Sequence, residues 1–329
     1  MQTQYCKTTT LLLTVMALLL AINIDAQPQR EFRPPENIRL TADIPYAATD
    51  NPRQMLDLLL PREPGQEPLP VIVFIHGGAW RGGSKEGGRS NVARAVASGN
   101  YAGVSINYRL SGESKWPTQI HDCQAAIRWI KSNAEKYNLN PDRIGIWGSS
   151  AGGHLVAMLG TSAGVTALDG RLGRTPDLSC AVTCVVDFFG PTDFTTMDRD
   201  AIEGSVMQHS APDSPESLLM GYQVTTNPEG VATASPITYI SKDDPPFLIV
   251  HGTRDPVVPY AQSVTFHKAL QTAGVSSTLL TVSDGGHGQG FGAEVNQSVM
   301  RFFDHHLRGI PSEWADRSVR AEQRSRSPN

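Results

Sequence analysis

The chain has no excess of basic residues, no second long hydrophobic run, no internal repeat and little cysteine. Its 28 Lys and Arg are outnumbered by 32 Asp and Glu, giving a formal net charge of −4 and a pI near 6.1. That balance argues against nucleic acid as the main partner. Beyond the first 26 residues no segment is apolar for long enough to span a bilayer. Of four cysteines one, Cys6, falls in that leading stretch, and the odd remainder of Cys123, Cys180 and Cys184 leaves at least one thiol unpaired. Cys180 and Cys184 stand four apart on what reads as a strand, about 13 Å of rise, too far to bridge each other. Two readings stay open: Cys123 pairs with Cys180 or Cys184, or all three are buried free thiols.

What is present begins with a leader. Lys7 supplies a weak positive start, Leu11 to Ile24 is almost uninterruptedly apolar, and Ile24-Asp25-Ala26 offers a small residue at a cleavage position. Residues 1–26 therefore read as a secretory signal peptide, and the expected location is secreted or periplasmic. The alternative is an uncleaved anchor, for which an apolar run of about 14 residues is short against the ~20 that a spanning helix needs. From Gln27 onward about 300 residues remain, enough to bury a large core in one domain. A 40% hydrophobic share is that of an ordinary globular protein.

Two strands are expected at 42–46 and 55–60, joined through Asp50-Asn51-Pro52. The continuous apolar run Val71-Ile72-Val73-Phe74-Ile75 predicts a strand buried on both faces. A helix around 91–98 and a strand at 101–107 follow. Ile120, Cys123, Ile127, Ile130 and Ala134 recur at three- and four-residue spacing, one face of an amphipathic helix. Further strands are expected at 142–147, 182–188, 247–251 and 277–282, and helices near 154–159, 260–273 and 295–307. Strands alternating with helices predict an α/β fold, a mostly parallel sheet covered on both faces. Residues 190–240 break the alternation and read as a cap-like insertion within a catalytic domain spanning 27–310. The polar stretch 311–329 reads as a disordered tail.

The chemistry concentrates in four places. Gly148-Ser149-Ser150-Ala151-Gly152 follows a strand and opens a helix, the turn that lifts a serine hydroxyl clear of the backbone. Only Ser150 has glycines at both required positions. His76-Gly77-Gly78-Ala79-Trp80 follows the 71–75 strand, where small residues let backbone N–H groups approach an oxyanion. Gly78, Ala79 and Ala151 are the candidate donors, and Trp80 a candidate substrate-binding residue or an aromatic packed on the insertion. His287, in Asp284-Gly285-Gly286-His287-Gly288, is the candidate general base. Asp255, after the 247–250 strand, is the candidate acid that orients it, with Asp193 as the alternative. His76 belongs to the oxyanion loop, His154 reads as packing, and His251 caps a strand ahead of the acid. His305 and His306 are adjacent on a helix and diverge, so they read as surface residues and no metal is expected.

The order Ser, Asp, His is that of α/β-hydrolases. His76 to Trp80, Asn107-Tyr108-Arg109-Leu110, Gly148 to Gly153, Gly190-Pro191-Thr192-Asp193 and His251 to Asp255 together resemble the BD-FAE group of that fold. These are feruloyl- and acetyl-esterase-like relatives of the hormone-sensitive-lipase esterases, and the similarity runs over residues 40–308. The resemblance implies a carboxylic ester hydrolase that needs no cofactor and acts on a small-molecule or polysaccharide-linked ester, with members that release acetate or ferulate from plant polysaccharide. Where related lipases carry a third glycine, this chain has Ala79, which keeps the backbone donor. Three rival expectations remain: an amidase, formamidase or peptidase using the same triad; a lipase; and a non-catalytic binding protein.

Overall fold

A computed structural model describes residues 32–322; the leader expected at 1–26 lies outside them. Nine strands form one sheet: β1 (Ile38–Pro45), β2 (Met55–Pro61), β3 (Leu69–Ile75), β4 (Ala102–Ile106), β5 (Leu139–Ser149), β6 (Cys184–Phe188), β7 (Phe247–Gly252), β8 (Ser277–Ser283) and β9 (Arg317–Arg320). Their spatial order is β1-β2-β4-β3-β5-β6-β7-β8-β9. Strand β2 pairs antiparallel with both neighbours and every pair from β4 to β9 is parallel. Parallel neighbours need crossovers, supplied by α1 (Arg89–Val96), α2 (Thr118–Ser132), α3 (Ala134–Tyr137), α4 (Ala151–Thr161), α7 (Tyr260–Thr272) and α8 (Ala293–Arg308). The short helices α5 (Pro215–Met220) and α6 (Pro228–Ala232) lie within residues 190–240.

The period of two along each strand divides the core. In β3, Val71, Val73 and Ile75 join a cluster with residues of α2, α4 and α7, while Ile72 and Phe74 join one with α1 and α8. This two-sided burial is what the unbroken apolar run predicted. In β5 a glycine is required: a Cβ at Gly145 would come within 2.7 Å of the Phe303 ring, so α8 lies directly on the strand. The helical face expected to reach Ala134 ends earlier. Asn133 leaves helical geometry (φ −109°, ψ 13°), and Ala134 starts the separate helix α3. Among the described residues, no helix is long and apolar enough to cross a membrane.

Two expectations are corrected. Cys180 lies ahead of β6, which begins at Cys184, and Cys123, Cys180 and Cys184 are buried free thiols. Burial pushes all three thiols up from their ordinary value. The second correction concerns the stretch from residue 311, which as far as 322 is ordered rather than disordered. Strand β9 extends the sheet, Trp314 sits edge-on to Phe302 at 5.2 Å, and Asp316 accepts from His267 at 3.0 Å and from the Leu279 N–H at 2.8 Å. Four polar-rich residues, Arg317-Ser318-Val319-Arg320, carry almost no strand signal of their own; the open edge of β8 supplies the pairing.

Truncation after Ile310 is therefore expected to destabilise the fold. Losing the contacts of Trp314 and Val319 should cost on the order of 2 kcal/mol, read as a lower urea midpoint; an unchanged midpoint would mean that the segment contributes nothing.

Candidate active site

Because β3, β5, β6, β7 and β8 run parallel, the loops leaving their C-terminal ends share one edge of the sheet. Residues 76–80 leave β3, Ser150 leaves β5, 189–193 leave β6, Asp255 leaves β7 and His287 leaves β8. Residues far apart in sequence thus meet by topology.

Ser150 sits at the junction of β5 and α4 with φ 55° and ψ −123°, a conformation sparsely populated by residues with a Cβ. It is held from both sides. Its N–H donates to the Phe188 carbonyl at 2.9 Å, and its carbonyl accepts from the His154 N–H at 2.9 Å. Residues 76–80 press against it: a Cβ at Gly77 would lie 2.7 Å from the Ser149 oxygen and 3.3 Å from Ser150 Cβ. Gly78, Ala79 and Trp80 follow with φ of 115°, 54° and 54°. Among the described residues no carbonyl or side chain takes the N–H of Gly78 or Ala79, and Ala151 opens a helix, where the first N–H groups lack intrahelical partners. These are donors available to a developing negative charge. His76 stacks on Tyr108 at 4.3 Å, and burial lowers it to about 4, so it is a neutral support of this loop.

The second half of the site centres on a carboxylate. Asp255 is buried; its Oδ1 accepts from the N–H groups of Val257 at 2.8 Å and Val258 at 3.0 Å. His287 Nδ1 lies 2.7 Å from Oδ2, and His251 Nε2 lies 3.3 Å from the same oxygen. Burial works against the charge, but hydrogen bonds from His251 and His287 hold the Asp255 carboxyl well below the usual carboxylate range. Holding Nδ1 leaves Nε2 of His287 as the nitrogen open to a proton, the tautomer a base needs. Phe189 ties the halves together, its ring 4.4 Å from His287 and its neighbour Phe188 bonded to Ser150. The sequence reading missed His251 as a contact of the acid. Its spacing of four from Asp255 across a tight turn was the available signal.

Two candidates fall elsewhere. Trp80 is 1% exposed, and its indole N–H donates to His154 Nδ1 at 3.2 Å, whose Nε2 meets the Ala234 carbonyl at 2.7 Å. It is a buried prop between the loop and residues 190–240, not a substrate-facing wall. Burial lowers His154 to about 4, in keeping with the packing role expected for it. Asp193 is occupied locally, its Oδ1 taking the N–H and hydroxyl of Thr195 at 2.9 and 2.6 Å. The 190–240 segment is fastened to the acid loop: Val206 N–H donates to the Pro256 carbonyl at 2.9 Å, Ser205 Oγ to the same carbonyl at 3.2 Å, and His209 Nε2 lies 3.0 Å from the Val257 carbonyl.

Beneath Ser150 lies a carboxyl that sequence reasoning did not single out. Asp187, next to last in β6, is fully buried. Its Oδ1 accepts from the Gly190 N–H at 2.9 Å, while Oδ2 has no partner among the described residues. Burial raises it from 3.8 to about 7, with the Gly190 bond opposing.

A mostly parallel sheet with a strained serine at the end of one strand and a His–Asp pair at the ends of two others defines an α/β-hydrolase. Within that class the chain belongs to the BD-FAE family, whose model matches residues 56–270. It is 32% identical over 240 residues to esterase LipC of Mycobacterium tuberculosis, covering 73% of this chain and 58% of that protein. It is 34% identical over 241 residues to esterase LipQ of the same organism, covering 72% and 54%. The chain thus spans little more than half the length of these curated relatives. Among solved structures, a truncated carbohydrate esterase from gut microbiota superposes with a TM-score of 0.77 at 34% identity, covering 84% of this chain and 99% of that one. A bifunctional GH43-CE protein of Bacteroides eggerthii gives 0.74 at 36% identity, covering 82% and 35%.

The Asp187 geometry has a pH signature. A native value near 7 against 3.8 in the unfolded chain means that the folded state keeps a proton which the unfolded state releases. Stability from this group is present below the lower value, falls by about 1.4 kcal/mol per pH unit between the two, and is flat above. Asp187→Asn is expected to remove that slope. Urea midpoints at pH 5 and pH 8 should then fall less in the variant than in the wild type; parallel changes would count against a protonated Asp187.

Proposed function

We propose that this protein is a serine carboxylic ester hydrolase. Ser150 Oγ attacks the ester carbonyl while His287 Nε2 removes its proton, and Asp255 steadies the imidazolium that forms. The N–H groups of Gly78, Ala79 and Ala151 receive the oxyanion of the tetrahedral intermediate. Collapse breaks the bond to the alcohol, which leaves with the proton from His287, and the acyl group remains on Ser150. Water deprotonated by His287 then attacks the acyl-enzyme, and Ser150 departs as the free hydroxyl.

The observation that carries this reading is the 2.7 Å contact of His287 Nδ1 with a buried Asp255, on the same sheet edge as Ser150 at φ 55°. The names of LipC and LipQ as esterases support the reaction class. For the substrate we infer acetyl or feruloyl esters of plant-type polysaccharide. The carbohydrate esterase similar to nearly the whole domain at 34% identity supports that choice, as does the leader at 1–26, which favours a secreted or periplasmic enzyme meeting an extracellular ester.

Hydrolysis of p-nitrophenyl acetate, butyrate and decanoate and of methyl ferulate tests the proposal. Acetate or ferulate should be turned over best, and Ser150→Ala should lower kcat by 10⁴-fold or more, the order seen when a triad nucleophile is removed. Asp255→Asn should cost about 10⁴-fold by leaving the imidazole in the wrong tautomer. Undiminished turnover by Ser150→Ala would overturn the assignment of the nucleophile. Turnover of formyl-anilides but no ester would select an amidase, and preference for decanoate a lipase.

A further inference from the structure

A second site lies away from the serine. A cleft of about 350 Å³ opens between α2, α3, the end of β1 and residues 172–175. Those segments precede β5 and β6 or belong to the far edge of the sheet, and none of the loops carrying Ser150, Asp255 or His287 contributes to it. Its volume falls in the range of small-ligand sites.

Contacts within the chain hold the walls. Arg128, 3% exposed on α2, donates to the Leu178 carbonyl at 2.8 Å and bonds the Gly170 carbonyl and Asp169, which pins residues 169–178 to the helix. Gly173, at φ 89°, turns so close to β1 that a Cβ would lie 3.3 Å from the Tyr46 oxygen. One wall carries Trp129 and Tyr137, both half-buried, with ring centroids 5.7 Å apart and planes at 39°. Half-buried rings in a cleft present an apolar face with a polar edge, suited to the C–H face of a flat or chair-shaped ring.

Charge decides what that ring carries. Lys136 Nζ stands 4.9 Å over the Tyr137 ring, and Arg174, exposed, belongs to the same lining. Nearby, Arg128 is matched by Asp169 and Arg171 by Asp177, whereas Lys136 and Arg174 have no carboxylate partner among the described residues. In a chain of net charge −4, two unmatched cations in the lining of one cleft make a local preference for an anion.

We propose that this cleft binds a uronosyl residue of an acidic polysaccharide, the sugar ring lying on Trp129 and its carboxylate meeting Arg174 and the Lys136 ammonium held over Tyr137. The choice of a polysaccharide rests on the substrate class proposed above; the cleft would hold the polymer while its esters reach Ser150.

Affinity electrophoresis separates the two ideas, because binding is read without hydrolysis. The full chain carrying Ser150→Ala is run through gels containing glucuronoxylan or neutral arabinoxylan. Retardation is expected in glucuronoxylan, falling as salt rises, with at least fivefold weaker binding to the neutral polymer. Adding Lys136→Gln and Arg174→Gln, both at exposed positions, should weaken binding to the acidic polymer at least fivefold. Trp129→Ala should weaken it as much. With Ser150 intact, the Gln pair should leave p-nitrophenyl acetate turnover unchanged. Absence of retardation, equal retardation by both polymers, or undiminished binding by the Gln pair would each overturn the proposal. Retardation by a protein that hydrolyses no ester would leave the cleft standing and sink the hydrolase reading alone.

Discussion

The structure turns on the steric seat of Ser150. A serine at positive φ costs on the order of 1–3 kcal/mol unless its surroundings enforce it, and here they do so by leaving no alternative space. A Cβ at Gly153 would lie 2.7 Å from the Phe188 oxygen, and one at Gly152 would come within 2.7 Å of the His76 carbonyl. The turn between β5 and α4 is therefore wedged between the ends of β3 and β6, with the Ser150 N–H bonded across to Phe188. Once that wedge forms, the heights of the loops after β3 and β6 are set relative to the hydroxyl. Asp187 beneath it shows the cost of the same crowding: a carboxyl with one hydrogen bond among the described residues stays protonated to near pH 7.

Asp255 is treated in the opposite way. It is also buried, yet two backbone N–H groups and two imidazoles surround it, and it stays ionised. Two carboxyls in one site are thus driven apart by the number of donors each meets. Burial alone does not decide charge; burial with or without donors does.

The parts of this arrangement that could be read from sequence are those whose signal is local. The run at 71–75 declared a two-sided strand because every residue is apolar, and the candidate site residues Ser150, Asp255 and His287 stood in short motifs placed after strands. What escaped depended on distant partners. Strand β9 has one buried residue, Val319, and exists because β8 offers an open edge. For Trp80 the motif left two readings open, a pocket wall or an aromatic packed on the insertion, and only the fold, which brings His154 and Phe194 against it, selects the second. His251 read as the end of a strand; Gly252 and Asp255-Pro256 signal a turn there, but that the turn brings the imidazole to Asp255 shows only in the fold.

The fastening of residues 190–240 to the acid loop has a consequence for how such a domain can diverge. On the acid-loop side every acceptor is a main-chain carbonyl, of Pro256 or Val257, which any residue in that conformation would present. The donors, Val206 N–H, Ser205 and a His209 held 2.9 Å from Glu216, all travel with the insertion. Elsewhere the segment leans on side chains of the domain, Gln262 against Thr192 and Asp193 and His154 against the Ala234 carbonyl, so its sequence is free to vary at the Asp255 loop and constrained where it meets α4 and α7.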